Sequence, residues 1–570
     1  MKNPLNLLIL FLLCAAALSA QQPITKAEAP DDSYDIQDPV LIKTRDGASI
    51  SASVVRKKGN TQKLPAILVY TTYDEGERGL IFGKRAVDKG YVGIVAYSRG
   101  IRTNLNDYMP FENDARDAHD VIDWINRQQW CDGKVGMYAG SYTGAVQWAT
   151  AAKNLHPALK TIVPQVAVMP GFDFPMENNV HPAALSILWA NNILKNKPLP
   201  GDIYNKWYEA GVSFRSFDSF AGQPNRIFQK WLEHPSYDDY WKSLAPTPKE
   251  YSNLNIPILT TTGYYDGSQI SALEYVKLHY KYHKNPNHYF VIGPYHHFGG
   301  QGNPELNLMG YAIDPVANVS MRGLAFEWFD YILKGGKKPA LLKDKINYEV
   351  MGANEWRHAP SLEKISNRTL VYYLSDSGRG ENHLLSPQKP EKAGFLNQTV
   401  DFKDRVNQNN YFTSNIINES LDASNGLVFM TEPFNEAFSI NGSFSGQINA
   451  SINKRDMDVS MAFYELMPDG KYFYLTRYLG RASYAGDNSK RQLLRPGKKE
   501  TIPLAETRMV SKQISKGSRL VIVLNVNKHP FEVINYGTGK DVNDETIADA
   551  KDPLQVKWYN SSYIKIPIWK

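Results

Sequence analysis

A serine that follows a short apolar segment is the first candidate for chemistry. Residues 135–138 have the composition of a buried strand and residues 144–154 that of a helix, so Ser141 lies in the turn between them. A sharp turn here lifts the serine hydroxyl out of the sheet, and the following N–H, on Tyr142, can bind an oxyanion. The pattern is typical of a nucleophile elbow, although a serine that caps a helix would also fit it.

The elbow needs small side chains around the serine because the chain turns tightly there. Gly140 precedes Ser141, and Gly144 stands three residues after it. Ala139 occupies the position two residues before the serine, where glycine is usual, so the strict G-x-S-x-G pattern is absent. The serine by itself therefore does not decide the chemistry.

An acid and a base follow two later apolar runs. Asp266 comes after the run 256–261, and His297 comes after the run 288–292. Ser, Asp, His is the chain order of α/β-hydrolase triads, and the carboxyl ends of parallel strands meet at one edge of a sheet. Each residue alone has a simpler explanation, a turn-forming Asp before Gly267 or a structural His. The three positions together predict a catalytic triad.

The sequence patterns around these residues predict a different kind of structure in each of three successive parts of the chain. Short apolar runs at 65–70 and 91–97 are typical of strands buried on both faces, and residues 114–127 have helical spacing. Such alternation predicts a parallel sheet flanked by helices. From about 160 to 250 the sequence is rich in aromatic residues, Asn and Pro, which indicates an insertion that covers the sheet. After about 345, alternating runs favour an antiparallel β-sandwich.

We therefore expect an α/β-hydrolase domain with an inserted helical cap, followed by a C-terminal β-sandwich. A chain of 570 residues exceeds the usual size of a single core, which agrees with several domains. The expected boundaries are a signal peptide at 1–20, the hydrolase domain at 40–160 and 251–340, the cap at 161–250 and the sandwich at 345–570.

The N-terminus predicts export. Lys2 is followed by an apolar run from 7 to 18 and by small residues that end at Ala20, which is typical of a secretory signal peptide cleaved after that residue. The run is too short for a comfortable membrane span, and no later segment is long and apolar enough to cross a bilayer. Cys14 offers a lipoprotein alternative, which is disfavoured because Leu13 stands where a small residue is preferred. We expect a periplasmic or secreted protein.

Charge and cysteine content further limit the partners, disulfides and metal sites that we expect. The net charge of +6 comes from 64 Lys and Arg against 58 Asp and Glu spread along the chain, so we expect no nucleic-acid partner. Once Cys14 is removed with the signal peptide, Cys131 stands alone and no intrachain disulfide is expected. Its place in a turn before a strand favours packing over a nucleophilic role. Without an H-E-x-x-H or paired-Cys motif, we expect no metal and no cofactor.

Motifs along nearly all of the mature chain carry a family resemblance. The densest is residues 129–148, around the serine. Further matches lie at 114–124, 234–241, 264–267, 293–297, 328–335, 456–458, 468–470 and 481–484. Together they resemble the group of cocaine esterase, glutaryl-7-aminocephalosporanic acid acylase and α-amino-acid ester hydrolase, which shares its catalytic module with X-Pro dipeptidyl-peptidases. The resemblance implies a hydrolase domain, a helical cap and a C-terminal jelly roll that closes the cleft.

The resemblance also implies the roles of the triad residues. It makes Ser141 the nucleophile and Asp266 the acid of the triad. The catalytic base is the fifth residue of the family's Gly-Pro-Trp-x-His motif, here 293–297, which selects His297 over His296.

The same resemblance implies an oxyanion site and a pocket wall. The oxyanion is held by the Tyr142 N–H and by a tyrosine hydroxyl, which the match at residues 72–74 assigns to Tyr73. Trp189, on a cap helix, is a candidate substrate-binding residue, with packing in the cap core as its alternative. Amino-ester hydrolases carry carboxylates just after the catalytic Asp, whereas this chain has Ser268 and Gln269 there.

These observations predict an exported serine hydrolase that cleaves an acyl ester or amide through an acyl-enzyme intermediate. The expected partner is a small-molecule ester or amide, or a short peptide. Two alternatives stay open at this point. One is an X-Pro-type dipeptidyl-peptidase, which needs an acidic group for a free N-terminus. The other is a non-catalytic carbohydrate-binding surface protein, which predicts a defective triad.

Overall fold

The computed structural model describes residues 33–379, 382–409 and 415–570. The predicted signal peptide at 1–20, with its cleavage site at Ala20 and with Cys14, lies outside the described residues. The described chain builds a ten-stranded sheet and a fourteen-stranded sheet.

The first sheet is a parallel core with antiparallel edges. Twelve strands come before residue 360: β1 (Tyr34–Lys43), β2 (Ser49–Lys57), β3 (Leu64–Thr71), β4 (Val92–Tyr97), β5 (Cys131–Gly140), β6 (Leu159–Gln165), β7 (Ile258–Gly263), β8 (His288–Gly293), β9 (Asn307–Leu308), β10 (Tyr311–Ala312), β11 (Ile346–Val350) and β12 (Glu355–Ala359). Strands β9 and β10 pair only with each other, and the others follow the order β1-β2-β4-β3-β5-β6-β7-β8-β11-β12.

The direction of the strands brings the predicted triad loops together. From β4 to β11 all neighbouring strands run parallel, while β1, β2 and β12 pair antiparallel. Every residue of β4 and β7 is buried, as expected for strands covered on both faces. Because β5, β6, β7 and β8 are adjacent, the loops that follow them share one edge of the sheet.

Helices cover this sheet and form the cap. The flanking helices are α1 (Leu80–Asp88), α2 (Asp114–Asn126) and α3 (Tyr142–Lys153), and the cap helices, between β6 and β7, are α4 (Ala183–Ile193), α5 (Ile203–Ala210), α6 (Phe217–Phe220), α7 (Arg226–Leu232), α8 (Asp239–Leu244) and α9 (Pro248–Asn253). Two more flanking helices follow: α10 (Gln269–Tyr282) and α11 (Met321–Lys334). No helix in the described ranges is long and apolar enough to cross a lipid bilayer.

The second sheet is almost entirely antiparallel. Its strands are β13 (Arg368–Arg379), β14 (Asn382–Ser386), β15 (Phe395–Val400), β16 (Ile417–Asn418), β17 (Leu427–Met430), β18 (Phe438–Ser443), β19 (Ser445–Ile452), β20 (Asp458–Leu466), β21 (Tyr472–Arg481), β22 (Glu500–Leu504), β23 (Met509–Ile514), β24 (Arg519–Val526), β25 (Leu554–Tyr559) and β26 (Tyr563–Trp569). Buried and exposed residues alternate along β25 and β26, as in strands with one packed face. The predicted fold class, an α/β-hydrolase domain with a cap and a C-terminal β-sandwich, is confirmed.

Candidate active site

Ser141 lies between β5 and α3 in a strained conformation. Its φ is 63° and its ψ is −127°, a combination that residues with a side chain rarely adopt. The Ser141 N–H donates to the carbonyl of Gln165, at the end of β6, at 3.0 Å. The Ser141 carbonyl accepts from the Gly144 N–H at 3.0 Å, which closes the first helical turn. The turn has the geometry of a nucleophile elbow.

Close packing explains the small residues around the serine. A Cβ on Gly140 would lie 2.3 Å from Oε1 of Gln301, and a Cβ on Gly144 would lie 2.7 Å from the Cβ of Ala167. Real Cβ atoms essentially never approach that closely, so a side chain at either position would force its neighbours to move. Ala139 has a φ of 98°, where a methyl group is strained. This strain is the physical reason why glycine is usual two residues before the serine.

Asp266 and His297 form a buried hydrogen-bonded pair. Nδ1 of His297 lies 2.8 Å from Oδ1 of Asp266, whose side chain is fully buried. The Thr262 hydroxyl donates to Oδ2 of Asp266 at 2.7 Å, and the Ser268 N–H donates to Oδ1 at 3.0 Å. Burial alone would raise the pKa of Asp266, but the charge of His297 and the donated hydrogen bonds hold it below its usual value.

The neighbouring histidine has a different partner. Nε2 of His296 lies 2.9 Å from Oε1 of Glu305, and Nδ1 of His296 accepts from the Gly299 N–H at 2.9 Å. Burial would lower the pKa of His296, but Glu305 outweighs it and raises that pKa. Because both ring nitrogens of His296 are engaged away from Asp266, His297 is the one of these two histidines that shares a hydrogen bond with the predicted acid.

The serine and histidine loops touch through Gln301. This side chain packs against Gly140, beside the serine, and its Nε2 donates to the carbonyl of His297 at 3.2 Å. Among the residues that the structure describes, the Ser141 hydroxyl makes no hydrogen bond. Catalytic hydrogen bonds are often long in unliganded enzymes and shorten when substrate binds. The structure thus places the three predicted triad residues at one sheet edge and pairs two of them.

Tyr142 is the first residue of α3, so its N–H is one of the four that have no partner within the helix. Its side chain is fixed below the elbow. The hydroxyl donates to the Asp114 carboxyl and accepts from the Phe111 N–H at 2.9 Å. The ring stacks on Phe111 with centroids 4.2 Å apart. These contacts fix the direction of the backbone that follows Ser141.

Asp114 is a site component that the sequence did not single out. It is buried at the start of α2, where burial raises its pKa to about 6, although the Tyr142 hydrogen bond lowers it in part. An Asp in the first turn of a helix is normally explained by the helix dipole, so the sequence carries no signal for its contact with Tyr142.

Tyr73 and Trp189, both predicted from the sequence, contact each other. Tyr73 follows β3, and Nε1 of Trp189, on α4, donates to its hydroxyl at 3.2 Å. The Trp189 ring also stacks on Tyr142, with centroids 5.7 Å apart and planes at 22°. The three residues predicted to form the oxyanion site and pocket wall therefore lie together beside the elbow.

An arginine of the sandwich contacts the Asp266 loop and also forms an ion pair in the hydrolase domain. The sequence did not predict either contact. Arg508, just before β23, donates two hydrogen bonds to the Glu177 carboxylate, at 2.6 and 2.7 Å. It also donates to the carbonyl of Gly267, next to Asp266, at 3.2 Å. Burial would raise the pKa of Glu177, but Arg508 lowers it below its usual value. The pair joins residues 331 positions apart, a distance that no local pattern can indicate.

Gln269 makes a second contact between the Asp266 loop and the sandwich. Its Nε2 donates to the carbonyl of Met509 at 3.0 Å, and its Oε1 accepts from the Met509 N–H at 2.6 Å. The side chain is fully buried, so it serves the domain contact rather than a ligand. Ser268 supports Asp266 through its N–H. The Gln269 side chain and the Ser268 backbone therefore hold the acid loop in place.

Two family models match most of the chain. The model of the X-Pro dipeptidyl-peptidase (S15 family) matches residues 46–299, and that of the X-Pro dipeptidyl-peptidase C-terminal non-catalytic domain matches residues 342–557. The first match contains the predicted triad, and the second contains most of the β-sandwich.

Individual proteins are similar over nearly the full length. Cocaine esterase from Rhodococcus sp. (strain MB1 Bresler) is 22% identical over 590 residues, which cover 95% of this chain and 100% of that protein. A crystal structure of an aminopeptidase from the marine sediment archaeon Thaumarchaeota archaeon has a TM-score of 0.81 at 20% identity, covering 97% of this chain and 99% of that one. An α-amino acid ester hydrolase has a TM-score of 0.78 at 21% identity, covering 96% and 100%. The two solved structures show the shared fold.

The fold and these matches define a serine hydrolase built on the α/β-hydrolase sheet. The chain belongs to the group of cocaine esterase and X-Pro dipeptidyl-peptidase-like enzymes. The family resemblance found in the sequence is thereby confirmed.

Proposed function

We propose that this serine hydrolase is exported and cleaves an acyl ester or amide through an acyl-enzyme intermediate, with Ser141, Asp266 and His297 as its triad. The observation that carries the proposal is the 2.8 Å hydrogen bond between His297 and the buried Asp266. It stands at the sheet edge where Ser141 adopts its strained conformation. A buried acid fixes the orientation of the imidazole and stabilises its cation.

The chemistry follows from these positions. Nε2 of His297 takes the proton of Ser141 as Oγ forms a bond to the substrate carbonyl carbon. His297 then gives that proton to the leaving alcohol or amine as the bond to it breaks. A water molecule attacks the acyl ester, and its proton passes through His297 to Oγ, which leaves the free acid and the original enzyme.

We place the oxyanion between the Tyr142 N–H and the Tyr73 hydroxyl. The position of the N–H on the first residue of α3, directly after the serine, supports the first donor. The location of Tyr73 at the end of β3, beside Tyr142, supports the second, with ring centroids 6.4 Å apart. Trp189 next to both makes it a candidate wall for the acyl group.

A peptidase activity is the second candidate, and one observation favours it. Asp173 follows β6 and accepts the Met169 N–H at 2.8 Å. Burial, with a smaller contribution from the charges of Glu177 and Asp266, raises the pKa of Asp173 to about 8. A substrate ammonium could pair with this carboxyl, which is the acidic group that a dipeptidyl-peptidase needs. The non-catalytic alternative does not fit a chain that belongs to a group of serine hydrolases.

The domain boundaries are part of the proposal. We place the cap between β6 and β7, close to the expected range of 161–250. We move the start of the sandwich from the expected residue 345 to a point after Ala359, because β11 and β12 pair within the hydrolase sheet. Cleavage after Ala20 and export to the periplasm or the medium rest on the sequence pattern of the N-terminus.

A substrate panel tests the proposed activity. Purified protein is assayed on p-nitrophenyl esters, β-lactam acyl amides and X-Pro chromogenic peptides. Turnover of the esters or acyl amides supports the leading proposal. Turnover confined to the peptides, and lost in Asp173→Asn, would replace it with the peptidase. The absence of turnover on all three classes would contradict both.

A further inference from the structure

The cap places one hydrogen-bond donor against the Tyr73 hydroxyl. Trp189 lies on α4, and its Nε1 is 3.2 Å from the phenolic oxygen of Tyr73. The two residues are 116 positions apart in sequence. Both side chains are half-buried, so the contact stands at the boundary between the cap and the sheet edge.

The chemistry of this contact has a direction. An indole N–H can only donate, so the phenolic oxygen of Tyr73 must accept at this contact, and the phenolic proton is not used in it. A hydroxyl that accepts a hydrogen bond also becomes a stronger donor, by roughly 10–30% per bond. From this geometry we propose that Trp189 is a positioning residue that orients the Tyr73 hydroxyl as a donor to the oxyanion. The inference rests on the proposed function, in which Tyr73 is that donor.

The surroundings of Trp189 fix its ring. It stacks on Tyr142 at 5.7 Å and packs against Phe174 at 5.1 Å and Trp231 at 5.6 Å between centroids. Tyr142 carries the other proposed oxyanion donor. The Trp189 ring therefore contacts both Tyr73 and Tyr142, which supply the two proposed oxyanion donors. Because Trp189 belongs to the cap, the relative position of these donors depends on the cap.

A second contact holds the cap helix to the same loop. Lys195, just after α4, donates to Oδ2 of Asp74 at 3.1 Å, and Arg102 donates to Oδ1 of Asp74 at 2.8 Å. Asp74 directly follows Tyr73 in the chain. The end of α4 is thus attached beside Tyr73 as well as at its hydroxyl, and the Trp189 contact is part of a defined interface.

A matched pair of substitutions tests the proposal. Trp189→Phe removes the N–H and keeps an aromatic ring. Trp231→Phe makes the same change in the adjacent ring, whose Nε1 is buried and has no hydrogen-bond partner in the described structure. We expect Trp189→Phe to lower kcat about fivefold with nearly constant KM, the size of one neutral hydrogen bond. We expect Trp231→Phe to change kcat less than about twofold.

The Tyr73→Phe background separates this inference from the proposed function. If Trp189 acts through the hydroxyl, adding Trp189→Phe to Tyr73→Phe lowers kcat no further. An equal loss in both backgrounds, or a rise in KM alone, would overturn the positioning role and leave the oxyanion assignment standing. If Tyr73→Phe itself leaves kcat unchanged, the oxyanion assignment fails and this inference fails with it.

An isosteric replacement covers the case in which Trp189→Phe does not fold. Benzothienylalanine at position 189 keeps the shape of the ring and replaces the N–H with sulfur. Thermal unfolding reports whether the variant is folded, and the same fivefold loss of kcat is expected. A folded variant with the wild-type kcat would overturn the proposal.

Discussion

The two sides of the candidate site rest on buried carboxyl groups in opposite surroundings. On one side, Asp266 accepts hydrogen bonds from Thr262 and Ser268 and faces His297. Its pKa lies below the usual value because the histidine charge and the hydrogen bonds outweigh burial. The loop that follows is attached to the sandwich through Arg508.

On the other side, Asp114 lies beneath the elbow with neutral donors. It is bonded to the Tyr142 hydroxyl and, at 3.2 Å, to the Phe111 N–H. Burial therefore dominates and raises its pKa to about 6. Since both carboxyls are buried, the partner decides in which direction the pKa of each one moves. We infer that Asp266 stabilises the cation of His297, whereas Asp114 fixes the position of Tyr142 next to the serine.

The largest expected effect concerns the two adjacent histidines. His297→Ala should lower kcat by about 10⁴-fold or more, since removal of a triad member typically costs that much. His296→Ala removes the same ring one residue away, where the partner is Glu305, and should keep most of the activity. Steady-state kinetics on one substrate compares them. A larger loss for His296→Ala would reverse the assignment of the base.

Removing the charge of the two buried carboxyl groups should lower kcat by amounts that differ almost as much as those of the two histidine variants. Asp266→Asn should lower kcat about 10⁴-fold because the amide no longer holds the imidazole in the required tautomer. Asp114→Asn keeps an oxygen that can accept from Tyr142, and should change kcat less than about tenfold. Parallel kinetics on folded variants measures the difference. Equal losses would show that the serine side depends on charge as well.

An intermediate effect is expected at Tyr73. Tyr73→Phe removes one donor that acts mainly in the transition state, and should lower kcat by roughly 10²–10³ with KM nearly unchanged. The ring and its packing stay, so folding should change little. Steady-state kinetics decides the role: an unchanged kcat, or a rise in KM alone, would remove Tyr73 from the mechanism.

The smallest effect is on the free energy of unfolding. Its change with pH should have opposite signs for the Asp114 and Asp266 variants. Since the pKa of Asp114 is raised, its contribution to the free energy of unfolding falls as pH rises from about 4 to about 6. Asp114→Asn should therefore gain about 2 kcal/mol relative to wild type between pH 4 and 7.

The pKa of Asp266 is lowered, so its contribution is present above the unfolded pKa and is lost as pH falls through the folded one. Asp266→Asn should accordingly lose stability relative to wild type as pH rises from acid. Unfolding of the variants across this pH range measures both slopes. Slopes of the same sign would contradict the comparison between the two carboxyls.

Local patterns predicted much of this molecule. The apolar run before Ser141, the glycines beside it and the order of the acid and base each depend on neighbouring residues, so they could be found without coordinates. Burial of whole strands such as β4 made the parallel sheet predictable for the same reason.

Contacts between distant segments could not be predicted in this way. The Arg508–Glu177 pair depends on how the sandwich packs against the hydrolase domain. The Trp189–Tyr73 hydrogen bond depends on where the cap helix lies. Asp114 looks like an ordinary helix-start residue until Tyr142 is seen to reach it. Packing of separate elements, rather than sequence pattern, creates these groups.

Covalent labelling of the nucleophile tests the central claim most directly. The protein is treated with a fluorophosphonate, and the adduct is located by intact mass and peptide mapping, with Ser141→Ala as the control. We predict one adduct, on Ser141, that is absent from a folded Ser141→Ala protein whose turnover has fallen by about 10⁴-fold or more. An adduct on another residue, or near-wild-type turnover by Ser141→Ala, would contradict the account.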